Sequence, residues 1–115
     1  MPYFQFGLER EAQIYYLSAL NALSADPQAP EVTDKFAESM KEMRLHIMPI
    51  ETIVAQFVKW TRDNIRAEGS NDEDENGVAW YLALYVRAYE KACAPARISF
   101  EDIYKKCFIK YYQGA

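Results

Sequence analysis

The sequence predicts an all-α protein, a compact single-domain bundle of about five helices over residues 1–115, and three observations lead there. Apolar residues recur at intervals of three and four, the period of a helix, and no stretch alternates convincingly at two as a half-buried strand does. Helix-breaking residues, among them Pro27, Pro30, Pro49, Gly69 and Pro95, divide the chain into five segments. Of its 115 residues 50% are apolar, with only 4 Gly and 5 Pro, which excludes disordered, collagen-like and low-complexity classes. That length supports one core burying about two-thirds of the unfolded chain's surface, so neither a metal nor a disulfide is needed for folding.

The first helix spans residues 8–23. Leu8, Ala12, Tyr15, Tyr16, Ala19 and Leu23 form a stripe that Ile14, Leu17 and Leu20 widen, so this helix is expected near the centre of the bundle. It ends in SADPQAP, where Pro27 and Pro30 cannot continue the hydrogen-bond ladder. The second helix, residues 30–47, has the cleanest stripe: Val32, Phe36, Met40, Met43 and Ile47. Charges fill its opposite face, so it belongs on the outside, and Pro30 suits a first turn where a missing N–H costs nothing. Pro49 makes HIMP either a tight corner or a kink into the third helix, residues 50–67. There Ile50, Ile53, Val54, Phe57 and Ile65 turn inward, Lys59, Arg62 and Arg66 complement the C-terminal dipole, and Gly69 accepts the left-handed cap conformation.

The fourth helix, residues 72–93, opens on Ser70 and Glu73 spaced as a capping box. Val78, Leu82, Tyr85, Val86, Tyr89 and Cys93 make one stripe and Tyr81, Leu84, Ala88 and Ala92 a second, so it too is expected to be central. After CAPAR, Ser99 and Asp102 form another capping pair, and Phe100, Ile103, Tyr104, Cys107, Phe108 and Tyr111 follow at helical spacing. Phe36, Ile53, Phe57, Leu82, Tyr85, Ile103 and Phe108 are the expected core.

Several functions are disfavoured by what the residues lack. No window approaches the roughly 18 uninterrupted apolar residues of a membrane span, and the first residues carry no basic, apolar export signal, so a soluble cytoplasmic protein without membrane contact is expected. Cys93 and Cys107 lie on separate helices and are expected to be reduced, buried thiols. A formal net charge of −4 and a pI near 5.0 argue against a nucleic-acid backbone binder, although Lys59, Trp60, Arg62 and Arg66 follow a short turn as in a helix-turn-helix. Gly7, Gly69, Gly77 and Gly114 are isolated, so no phosphate loop forms. Glu38, Glu42 and His46 align at i, i+4 and i+8, but a carboxylate-bridged metal bundle needs Glu-x-x-His on two helices, and the chain has 1 His. A polar helix face is the better reading, with no cofactor, no metal and no enzymatic role expected.

What remains is a surface. Asp72, Glu73, Asp74 and Glu75 open the fourth helix, where they complement its positive end, and Trp80 follows away from the Val78 stripe. Together these five residues are the candidate protein-binding site, an acidic and aromatic patch suited to a basic partner. Among the 9 tyrosines, the pairs Tyr15–Tyr16 and Tyr111–Tyr112 cannot both point inward from one helix. Some therefore meet solvent or a partner, including a second copy through the first or fifth helix. The expected function is a non-enzymatic adaptor, inhibitor or immunity-type protein. The alternative is a structural subunit acting as a homo-oligomer or as a component of a larger assembly.

Overall fold

The structure, a computed structural model, describes residues 7–67, 75–93 and 99–113. They form α1 (Leu8–Ala25), α2 (Ala29–Glu42), α3 (Ile50–Ala67), α4 (Glu75–Cys93) and α5 (Phe100–Gln113), with a 3₁₀ turn at Leu45–Ile47 between α2 and α3. None of the described residues is in a strand. The all-α bundle is organised on α4, which buries 11 of its 19 residues and packs against α1, α2, α3 and α5. Its two apolar stripes explain this, because a helix that is apolar on most sides is stable only when covered on most sides.

The first helix is not central. α1 buries Ala12, Tyr16, Ala19 and Leu23 against α4 and α5, while Ile14 and Leu17 are 54% and 52% exposed. Ile14 stands about 160° around the helix from Tyr16. The two alanines let α1 approach closely, and this narrow seam decides its rotation.

A similar rotation changes α2. Its buried residues are Ala29, Thr33, Ala37 and Met40, so small side chains at i, i+4 and i+8 form the contact with α4. Val32 and Phe36 are left half-buried beside that contact, and Met43 and Ile47 are exposed. Close approach of two backbones along small side chains outweighs burying the larger stripe.

The helix also ends earlier than the stripe suggests. Met43 closes it, and Arg44 adopts the left-handed conformation (φ 58°, ψ 32°). Its N–H donates to the Lys41 carbonyl and the Met43 N–H to that of Ser39, as at many helix C-termini. HIMP is thus a corner rather than a kinked continuation. Buried Leu45 anchors it, Met48 is extended, and Ile47 and Ile50 face solvent. The Glu38, Glu42, His46 alignment is lost as well, since His46 lies past the reversal in the 3₁₀ turn.

α3 occupies residues 50–67, as its periodicity predicts, and buries Ile53, Val54, Phe57, Val58, Thr61 and Ile65. Gly69 and the Ser70/Glu73 box lie outside the described residues. The Ser99 cap of α5 forms, with the Asp102 N–H donating to Ser99 Oγ at 3.4 Å. Of the expected core, Ile53, Phe57, Leu82, Tyr85, Ile103 and Phe108 are buried.

Aromatic rings fill two further seams, between α3 and α4 and between α1 and α5. Phe57 stacks on Trp60 at 6.0 Å and on Tyr85 at 5.9 Å, and meets Tyr89 edge-on at 5.8 Å. Between α1 and α5, Phe108 lies between Tyr15 at 5.5 Å and Tyr112 at 4.7 Å, while Tyr16 tilts over Tyr104 at 4.6 Å. Each adjacent tyrosine pair therefore divides, with Tyr16 and Tyr111 buried and Tyr15 and Tyr112 half-buried on the seam. The surplus rings are largely absorbed by packing.

Candidate protein-binding surface

Asp72, Glu73 and Asp74 lie outside the described residues. Glu75 is the first residue of α4, half-buried, and its Oε2 accepts a hydrogen bond from the Tyr15 hydroxyl of α1. The carboxylate both faces the positive helix end and joins α4 to α1. Sequence reasoning missed Tyr15 in this role. It carries no local signal, because the bond joins residues 60 positions apart.

Trp80 lies just over one turn further on. It is half-buried, packs on the core and meets the Tyr81 ring edge-to-face at 5.2 Å and 88°. On the helical wheel it shares a face with Asn76, Arg87 and Lys91, all exposed, as its spacing from the Val78 stripe suggests. Two turns further along α4 opens a cleft of about 390 Å³, bordered by Leu23, Thr33, Arg87 and Lys91. The Lys91 ammonium pairs with Asp34 of α2 at its edge. Glu75 points towards α1 while Trp80 rides the outer face, so the two described members of the site sit on different sides of one helix turn.

The buried titratable groups act as structure. Burial raises the Tyr85, Tyr89 and Tyr104 hydroxyls above their ordinary value of 10.0, keeping them neutral. The Asn64 side-chain amide donates to the Tyr85 hydroxyl and, at 2.9 Å, to the Trp60 carbonyl. Both cysteines are free and buried. Burial raises Cys93 and pushes Cys107 up to about 12, away from the thiolate a nucleophile requires. Among the described residues no group of three His, Cys, Asp or Glu could hold a metal ion, and no helix is long and apolar enough to cross a membrane.

Two apolar exposures were not anticipated: Ile14 and Leu17 on α1, and Met43, Ile47, Met48 and Ile50 around the corner. Their periodicity reads as core. The rotation of α1 exposes the first pair and the early end of α2 at the corner exposes the second group. No family model, no curated protein and no solved structure matches this chain.

Proposed function

We propose that this chain is a non-enzymatic, cytoplasmic protein-binding module, an adaptor, inhibitor or immunity-type protein, that presents the acidic opening of α4 and Trp80 to a basic partner surface. The observation that carries the proposal is Trp80. α4 is otherwise buried along most of its length, yet just over one turn past Glu75 it holds a tryptophan that is only partly buried. Tryptophan on a rigid element is the residue type most enriched among binding hot spots, and neighbouring carboxylates accelerate capture of a cationic surface.

A photoreactive phenylalanine analogue at position 80 tests this in native lysate. The expected product is one discrete adduct with a basic protein, lost when Asp72, Glu73, Asp74 and Glu75 become Asn or Gln. With that protein purified, the quadruple variant associates more slowly with a flatter salt response, and Trp80→Ala mainly speeds dissociation. Unchanged rate, affinity and salt response in the quadruple variant would remove the acids from the site.

The second reading, a homo-oligomeric or assembly subunit, is favoured by the exposure of Ile14 and Leu17, neighbours on the outer face of α1. A solution mass above that of one chain, reduced to one chain by Leu17→Asp, would establish it in place of the first.

A further inference from the structure

Although the chain as a whole is acidic, the seam between α3 and α5 carries a cluster of the opposite sign. Arg62 marks where α3 meets α5: its Nη2 donates to the Tyr111 carbonyl at 3.4 Å, and its guanidinium lies 5.2 Å from the Tyr111 ring centroid. At about 100° per residue, Lys59 and Arg66 fall within about 60° of Arg62, on the side facing away from α4. On α5, Tyr104 and Phe108 face α1, where Tyr16 and Tyr15 meet them. Lys106 and Lys110 fall on the opposite flank, alongside α3.

By their wheel positions five cations therefore face the outer side of the α3–α5 seam. Lys59, Arg66 and Lys106 are exposed, while Arg62 and Lys110 are half-buried. None of the five forms an ion pair among the described residues, whereas Lys91 and Lys105, on other faces, pair with Asp34 and Glu101. Two carboxylates border the strip without pairing with it. Asp63 stands one turn from Lys59 and from Arg66, and Asp102 one turn from Lys106, both exposed.

We propose that this α3–α5 strip is a docking surface for an acidic segment of a protein partner. Charge complementarity selects the occupant, and dimensions narrow it. Lys59 to Arg66 spans about 10 Å of helix, enough for a few carboxylates of a short segment. A nucleic-acid duplex, with one charge per about 1.7 Å, would meet only a few compensating cations and then the field of a net-negative protein. The proposal does not rest on the function proposed for the opening of α4.

The test is fluorescence anisotropy of a fluorescein-labelled oligo-glutamate peptide titrated with the full chain at low and at physiological ionic strength. The expected result is saturable binding that weakens with salt and falls about tenfold in the Lys59→Glu/Lys106→Glu variant. Lys59→Gln/Lys106→Gln, a milder change, should fall in the same direction. Lys35→Glu/Lys41→Glu on α2 should leave binding unchanged, with circular dichroism confirming that every variant is folded. Absence of binding, or equal loss in the α2 control, would overturn the proposal. So would equal or tighter binding of a single-stranded oligonucleotide or an anionic vesicle. Binding that appears only after Asp72, Glu73 and Asp74 are neutralised would assign the strip to this chain's own acids and overturn it as well.

Discussion

Phe57 and Phe36 show how unevenly one residue type contributes to this core. Phe57 is fully buried among Trp60, Tyr85 and Tyr89, whereas Phe36 is half-buried with its edge on Tyr85. Phe57→Ala should cost about 3–5 kcal/mol in urea denaturation, and Phe36→Ala clearly less. A reversed order would mean that the α2 flank is covered in solution. Tyr104 makes the opposite case, because its hydroxyl is buried without a hydrogen-bond partner. Tyr104→Phe should leave stability unchanged or raise it by up to about 1 kcal/mol, since an unsatisfied polar group is removed and the packing stays. A substantial loss would reveal a hidden acceptor.

Cys107 adds a pH dependence. Its folded pKa of about 12 lies above the ordinary 9.0 because burial disfavours the thiolate. Its contribution to stability is therefore complete below pH 9 and is lost as pH rises towards 12, at about 1.4 kcal/mol per pH unit. Between pH 9 and 10, where unfolded thiols ionise ahead of unfolded tyrosines, Cys107→Ala should visibly flatten the decline in melting temperature. An identical slope would show that the thiol ionises freely in the folded protein.

Among the helices, α3 was legible almost to the residue and α2 was not. Pro49 sets where α3 begins, and its apolar stripe, apart from exposed Ile50, is also the face it buries. α2 ends at Glu42 through a left-handed residue, but that residue is Arg44 rather than the glycine or asparagine that would signal a stop. The stripe therefore reads on to Ile47. Its rotation is illegible for another reason: small side chains chose the contact, while a wheel weighted by large apolar residues favours Phe36. The site divides in the same way. Trp80's place on the outer face of α4 follows from spacing alone, whereas the Tyr15–Glu75 bond exists only because α1 docks on α4. Arg44→Gly tests the cap: relief of left-handed strain should raise stability by about 1 kcal/mol in thermal or urea unfolding. A loss would mean that the arginine side chain holds the corner in place.

For the whole molecule, charge is divided by surface. The net charge of −4 suggests one acidic body, yet Lys59, Arg62, Arg66, Lys106 and Lys110 gather on α3 and α5 among the described residues. Sequence reading found Lys59, Arg62 and Arg66 as a dipole complement of one helix. Lys106 and Lys110 joined them only once α5 was placed alongside, because helix pairing, not helix formation, creates the strip. If both proposed surfaces act, binding should respond to salt in two ways. Neutralising either surface should change association with one class of partner and leave the other unaffected.

The central position of α4 also has a consequence for synthesis. α1, α2 and α3 leave the ribosome before the helix they all pack against exists, and their extensive contacts are with α4 and α5 rather than with one another. A nascent chain arrested after Ala67 should remain open to protease throughout its length. Protection of α2 should begin when residue 93 clears the exit tunnel, and that of α1 and α3 should be completed only when α5 follows. If the short arrested chain proved resistant, the first three helices would hold together without α4. The tunnel would then release an already collapsed intermediate instead of three amphipathic helices waiting for a shared partner.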